Sequence, residues 1–479
     1  MPLASGRLSV LSRNEEMKVH NASIELLKNT GVIFDSQEAR NVFAKHGAKI
    51  DGKTVFIDEQ LIEKAIEKSP SYFKHTARND SHSVMIGAKQ KQLIVSSMYG
   101  TVYVQDLTHG RRKGLLLDHI NITKLSHASD IVNVIGGEPI TASDIDQKDS
   151  HLILMLETIK NTDKAIYSMP GAKESIDETF ELIKIAFGNN NCFEEKHITA
   201  APVCPLSPLR YDQIGCETLL TYAKYKQPVY VNSCIVSGVS GPISLLGTVT
   251  LMNTEILAGL ALTQIVNPGS PYVYVPGSTV ANMKSGIYNT GSPEANLIDI
   301  AGIQMAIDLY NLPTRAMAGL TDAKDVDCQA GFESMQNFML LMLGGVHFIN
   351  EALGCLDSIM TTSYEKFILD EEMIKRVIRI MDGLNTHDSE ISLDVIKDVG
   401  HNGEYLTHES TYQRFRERWR PSVSYWDSYD DWVAEGSPNI VEVANKKYKE
   451  ILQEAPEQLL DKTIENDMLR YLNKRSRIK

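Results

Sequence analysis

A chain of 479 residues is too long for one minimal domain, and a barrel of roughly 250–300 residues with terminal extensions fits that length. Hydrophobic residues make up 43% and charged residues 23%, the proportions of a globular chain with a large core, which excludes disorder over most of its length. A formal net charge of −13 argues against nucleic acid as the main partner: Lys and Arg cluster only in the tail Lys474-Arg475-Ser476-Arg477, which reads as a solvated end.

From the start, residues 1–16 lack the long apolar stretch of a signal peptide. Glu16 to Thr30 repeats apolar residues at Val19, Ile24, Leu26 and Leu27, a helical face that Gly31 ends. A second helix is predicted over Gln60 to Lys68. Leu93-Ile94-Val95 and Val102-Tyr103-Val104 flank Met98-Tyr99-Gly100 and read as a hairpin or strand pair. Residues 1–115 are therefore expected to form an N-terminal α+β extension.

The middle of the chain alternates two patterns. Short β-branched runs occur at Ile131–Ile135, Ala165–Ser168, Ile198–Val203, Val229–Val231, Tyr272–Val275, Thr314–Met317 and Val346–Ile349. Helical patterns lie between them, at about 148–161, 174–187, 210–226, 243–266, 293–311 and 330–343. Ser292 and Pro293 punctuate one helix start, while Gly188 and Gly344 sit where helices should stop. The helix over Ile243–Val266 is the most apolar, but Asn253, Glu255 and Gln264 make it a core helix rather than a membrane span. Repeated β-then-α units imply a parallel sheet. Seven such units, with an eighth not placed, predict a (β/α)8 TIM barrel over 116–364. Residues 365–479 then supply the final barrel helix and a helical extension. That extension holds Trp419, Trp426 and Trp432, aromatic groups that either anchor it or bind a ligand.

Chemistry is first narrowed by what is missing. The six cysteines form no CxxC pair, so neither a disulfide framework nor a zinc site is expected, and a reducing cytoplasm is the simplest location. The phosphate-loop, dinucleotide, zincin and serine-elbow motifs do not occur, and neither does DxHxxG, a motif that supplies an axial His to cobalt. In parallel barrels, functional groups sit where strands meet the loops that follow them. The last strand-like run continues through His347-Phe348-Ile349-Asn350-Glu351, and alternation puts His347 and Glu351 on one face, able to orient a substrate or exchange protons. Asp322 is the nearest carboxylate after the preceding strand. Asn232 and Tyr274 stand near the ends of two others, and Tyr99 could close the mouth from outside the barrel.

Five segments stand out together: Tyr99-Gly100-Thr101-Val102-Tyr103-Val104-Gln105-Asp106-Leu107, Val203-Cys204-Pro205-Leu206-Ser207-Pro208-Leu209, Gly319-Leu320-Thr321-Asp322-Ala323-Lys324, Thr362-Ser363-Tyr364-Glu365 and Phe415-Arg416-Glu417-Arg418-Trp419-Arg420-Pro421. Through them the sequence resembles the trimethylamine methyltransferase family, and is most similar to its non-pyrrolysine branch, which includes glycine betaine–corrinoid methyltransferases. The resemblance implies a (β/α)8 barrel that passes a methyl group to Co(I) of a separate corrinoid protein, with no permanently bound cofactor or metal and a homo-oligomer as the family-level expectation. Founding members use pyrrolysine to activate trimethylamine. This sequence has only the twenty standard residues, which favours a substrate that needs no such help.

A quaternary ammonium is such a substrate, because it leaves as a neutral tertiary amine. The remaining work is binding and aiming a cation while excluding water. Tyr99, Tyr274 and Phe348 are the expected aromatic faces, worth on the order of 0.5–2 kcal/mol each. Asp322 or Glu351 would add a negative charge, and His347 or Asn232 could donate to the carboxylate of a betaine. Two rivals remain at this stage: a non-catalytic quaternary-amine sensor on the same barrel, and a lyase of small acids using Lys324 after its strand.

Overall fold

The computed structural model describes residues 6–90 and 92–476. Eight short strands line one ring: β1 (Ile94–Val95), β2 (Val134–Gly136), β3 (Ala165–Tyr167), β4 (Ala201–Val203), β5 (Val229–Ser233), β6 (Tyr272–Pro276), β7 (Arg315–Met317) and β8 (Phe348–Asn350). A helix follows each in turn: α1 (Leu116–Ala128), α2 (Ser150–Asn161), α3 (Lys173–Phe187), α4 (Gln213–Lys224), α5 (Leu245–Val266), α6 (Pro293–Asp308), α7 (Cys328–Gly344) and α8 (Tyr364–Met381). Neighbouring strands run parallel, and β8 closes on β1 with Phe348 opposite Ile94 and Ile349 opposite Val95. Single parallel bridges, Ser96 with Val134 and Tyr274 with Thr314, join β1 to β2 and β6 to β7. A backbone bond from Ser168 to Ala200 (2.7 Å) joins β3 to β4. The chain is a (β/α)8 barrel, as the alternating pattern predicts.

The eighth strand is Ile94–Val95, which the sequence pattern paired with Val102–Val104. That pairing does not form. Tyr103–Asp106 makes its hairpin with Gly110–Lys113 and adds Thr361–Ser363 on its other side. The barrel therefore takes its first strand from within residues 1–115.

Along each barrel strand, alternate residues turn inward. Ile94, Val134, Ala165, Tyr167, Ala200, Tyr230, Val273, Val275 and Phe348 make one interior cluster. The same cluster includes Phe73, Val84 and Ile86 from a hairpin, Tyr72–His75 with Val84–Gly87, that plugs the N-terminal end of the ring. His75 helps to seal it: Nε2 lies 2.9 Å from the Ile166 carbonyl and 3.2 Å from that of Ile198. Burial lowers its pKa to about 4, so the ring stays neutral and donates. With that end shut, the C-terminal end of the strands, where Cys204 is exposed, is the side of the ring that reaches solvent among the described residues.

The helix α5 is long and apolar enough to cross a membrane, yet 78% of its most apolar window is buried inside the protein. It lies between the barrel and the N-terminal helices Arg13–Glu25 and Glu59–Lys68. Its Glu255 accepts from Ser207 Oγ (2.8 Å), Leu209 N (2.8 Å) and Ser233 Oγ (2.6 Å), fixing the loop after β4 to the end of β5.

The C-terminal segment wraps the outside. Helix Ile440–Glu454 runs along α8, where Tyr448 stacks on Tyr364 with ring centroids 4.9 Å apart. Arg376 of α8 sits 4.7 Å from Trp419 and 5.6 Å from Trp426, so two of the tryptophans anchor the extension. The third, Trp432, donates Nε1–H to the Pro438 carbonyl (3.2 Å). In the basic tail, Arg475 is not solvated as the sequence implied: it pairs with Asp149 and Glu178. Arg477 lies outside the described residues.

Candidate functional site

The open end of the barrel gathers side chains from the ends of several strands. Tyr99, on the loop after β1, leans on Tyr167 of β3 with ring centroids 5.3 Å apart. Gly136 of β2 makes room for the pair, because a Cβ there would lie 3.0 Å from atoms of both rings. Asn350 at the end of β8 is bonded through both its amide oxygen and its amide nitrogen. Its Oδ1 accepts from Ser96 Oγ (2.5 Å) and Tyr167 O–H (2.8 Å), and its Nδ2 donates to Glu351 Oε1 (3.1 Å). Consecutive strand residues normally point to opposite faces. Glu351 escapes that rule through a left-handed backbone, φ 60°, which brings its carboxylate beside the Asn350 amide.

Burial raises the Glu351 pKa to about 7, while the positive charge of Arg315 opposes the rise. The other Glu351 oxygen, Oε2, has no hydrogen-bond partner among the described residues. Arg315 opens β7 and is 1% exposed, with its guanidinium carbon 5.7 Å from the ring centre of Tyr167, 5.1 Å from Tyr230 and 5.8 Å from Phe348. Its charge also reaches Tyr99, Cys204 and Cys234. Cys204 reaches solvent in the mouth and Cys234 is half-buried. The Cys204 thiol is lowered first by a hydrogen bond with Cys234 and then by Arg315. Tyr167 is pushed up to about 12 by burial, so the phenol stays protonated. Among the described residues, no three or more His, Cys, Asp or Glu side chains are grouped to hold a metal ion.

Of the residues expected from sequence, Glu351, Tyr99 and Asn232 stand at or just beyond the C-terminal ends of β8, β1 and β5. Asn232 faces inward from β5, its Oδ1 lying 2.0 Å from where a Cβ on Gly277 would stand. Phe348 lies deeper in the barrel, its ring edge-on to Tyr230 at 5.7 Å and facing the Arg315 cation. Asp322 does a different job from the one expected. It accepts from Thr290 N (2.8 Å), Thr290 Oγ1 (3.0 Å), Gly291 N (3.2 Å) and Ser358 Oγ (2.7 Å), stapling three loops of the rim together. Lys324, the rival lyase nucleophile, is 67% exposed and paired with Asp357.

Two expectations fail. His347 precedes β8 rather than ending it, so it lies at the sealed end of the barrel beside Arg7, Gly87 and Gln90. There its Nδ1 accepts from Thr314 N (3.1 Å), and burial together with the Arg7 charge lowers its pKa to about 4. Tyr274 turns outward from β6. Its hydroxyl donates to Asn253 Oδ1 (3.1 Å) and its ring stacks on Tyr310. Tyr274→Phe should leave quaternary-amine affinity unchanged and cost about 0.5–1.5 kcal/mol of stability, checked by calorimetric titration and denaturant unfolding.

Sequence reasoning missed Arg315, Tyr167, Cys204 and Cys234. For Arg315 a signal existed: it is the one charged residue in the run Thr314–Met317, and charges are almost never fully buried without a use.

Comparison with known proteins agrees with this architecture. A family model described as trimethylamine methyltransferase matches residues 4–478. A glycine betaine methyltransferase of Desulfitobacterium hafniense is 33% identical over 472 residues, covering 98% of each chain. A proline betaine:corrinoid methyltransferase of Eubacterium limosum is 31% identical, over 86% of this chain and 85% of its own. A trimethylamine methyltransferase of Methanosarcina thermophila is 30% identical over 96% of both. Among solved structures, the Methanosarcina barkeri monomethylamine methyltransferase superposes with a TM-score of 0.52 at 12% identity, over 95% of this chain and 96% of that one, a likeness of fold alone. By the match along almost its whole length, the chain belongs to the trimethylamine methyltransferase family.

Proposed function

We propose that the chain is a cytoplasmic enzyme that transfers a methyl group from a small quaternary amine of the betaine type to the corrinoid of a separate protein. One observation carries this reading. The open barrel mouth sets a buried carboxylate, Glu351, beside the aromatic pair Tyr99 and Tyr167, the surroundings that hold a quaternary ammonium.

The chemistry asks little of the protein beyond this. When the carbon–nitrogen bond breaks, its electron pair stays on nitrogen and a neutral tertiary amine departs, so neither a general acid nor a covalent helper is required. A corrinoid bound to the partner supplies Co(I), the nucleophile whose electron pair makes the new bond to carbon. The rim fits such a partner: Val239, Ile243, Met283 and Ile287 are exposed apolar side chains on the loops after β5 and β6, and Ile243 and Met283 both crowd Gly238. Inside the mouth, the aromatic walls displace water and limit how the cation turns, which is positioning and desolvation work. The names of the betaine-demethylating relatives support the substrate class, and the lack of pyrrolysine in this sequence fits a substrate already activated by its charge.

The test is a methyl-transfer assay on the purified chain with Co(I) cobalamin. Loss of the Co(I) absorbance with glycine betaine, but not with dimethylglycine, is the expected outcome. Tight binding without turnover would make the protein a sensor instead. In the same assay His347→Ala should keep the rate within about twofold of wild type, because the imidazole stands at the sealed end; a tenfold loss would put the reacting centre elsewhere.

A further inference from the structure

Two opposite charges lie inside the barrel, and neither satisfies the other. Arg315 Nε and Nη1 have no acceptor among the described residues, although the side chain is 1% exposed. Three aromatic faces, those of Tyr167, Tyr230 and Phe348, surround the guanidinium. They favour a cation, but a π face cannot replace an acceptor in the guanidinium plane. Glu351 feels the Arg315 charge but makes no ion pair with it among the described residues. Its Oε1 is used by Asn350 Nδ2, and its Oε2 has no partner among the described residues. Asn232 Oδ1, on the inner wall, is unpartnered in the same way. Buried polar groups are normally hydrogen-bonded, and a buried guanidinium left without an anion is costly. A barrel interior that keeps an unsatisfied cation and an unsatisfied carboxylate apart has the charge layout of a receptor for a zwitterion.

We infer that Arg315 is the anchor for the substrate's carboxylate, held by its free N–H groups, while the ammonium end lies between Glu351 and Tyr99. This rests on the quaternary-amine reading above and deepens it: the site selects molecules that carry both a quaternary nitrogen and a carboxylate. Anchoring the carboxylate on Arg315 turns the ammonium methyl groups towards the opening. It also predicts selectivity. Choline and tetramethylammonium bring a positive charge to a site that already holds Arg315 and offer nothing to neutralise it, so an uncompensated cation, as well as lost contacts, should disfavour them.

The experiment is calorimetric titration of the full-length protein with glycine betaine, choline and tetramethylammonium. Wild type should bind glycine betaine at least a hundredfold more tightly than choline. Arg315→Gln should lose about a hundredfold in betaine affinity and bind choline as well as, or better than, wild type does, since a like charge has gone. Arg315→Lys keeps the charge without the planar fork and should fall between the two. A folded Arg315→Gln protein with undiminished betaine affinity overturns the anchor. Should the substituted barrels fail to fold, wild type still decides: equal affinity for betaine and choline overturns the anchor alone, whereas no binding of any quaternary amine overturns both the anchor and the reading beneath it.

Discussion

Glu351→Gln should raise the KM for a betaine roughly a hundredfold while leaving kcat within a few-fold of wild type. A carboxylate about 4 Å from an ammonium, at the effective dielectric of a protein site, contributes on the order of 2–4 kcal/mol to binding. The positive charge disappears from nitrogen as the methyl group leaves, so this attraction holds the ground state more than the transition state. Losing it therefore raises KM and moves kcat, within that few-fold range, upward rather than downward. The same carboxylate gives the wild type a pH signature. With its pKa raised to about 7, Glu351 is mostly protonated at pH 6 and mostly ionised at pH 8. The quaternary nitrogen cannot titrate, so affinity should strengthen about tenfold across that interval as the carboxylate ionises. Of the other groups within electrostatic reach of Glu351, burial pushes Tyr167, Tyr288 and Cys355 upward, and Cys234 is raised mainly by its hydrogen bond with Cys204. Cys204, lowered by Cys234, is the one that needs a control, and Cys204→Ser should keep the pH dependence that Glu351→Gln abolishes. A collapse of kcat at unchanged KM in Glu351→Gln would instead assign the carboxylate to the chemical step.

The architecture was legible because seven of the strands are β-branched runs separated by helices with clear stops, and that rhythm has few solutions other than a barrel. The eighth was not, and the reason is physical. Ile94–Val95 is two residues long, too short to show a period, and its partner Phe348–Ile349 comes from the other end of the barrel. Site residues were legible only where the phase of a strand could be known. Alternation says which residues share a face but not which face is inside. Tyr274 was placed wrongly for that reason: its neighbours Val273 and Val275 take the interior. His347 and Glu351 were joined by an alternation that the left-handed turn at Glu351 breaks. Asn232 lies on the inner wall because it shares the inward phase of Tyr230. Arg315 carried a readable mark, a lone charge in a buried strand.

The largest expected loss of stability comes from Lys366, beneath the loops that follow β7 and β8. Lys366 Nζ donates to Asp370 Oδ1 (2.8 Å) and Oδ2 (2.7 Å), to Ser334 Oγ (2.9 Å) and to the Gly319 carbonyl (3.2 Å), and Asp370 Oδ2 accepts from Gly354 N (2.8 Å). Both side chains are nearly inaccessible, at 2% and 5% exposure. Gly319 and Gly354 lie just beyond the strands that carry Arg315 and Glu351, so this pair fixes the backbone from which the site is hung. Lys366→Met should cost about 3–5 kcal/mol, because it leaves a buried carboxylate without its cation. Burial already raises the Asp370 pKa and the Lys366 charge opposes that rise; without Lys366 it climbs further. A carboxyl whose folded pKa exceeds its unfolded value binds more protons when folded, so stability falls as pH rises between the two. The deficit of Lys366→Met should therefore be smaller at pH 5 than at pH 8 in denaturant unfolding. Replacing both partners, Lys366→Met with Asp370→Leu, should recover most of the stability, since no buried charge is then left over. A single substitution as mild as the double one would mean that the pair is solvated in the folded protein and does not hold the two loops.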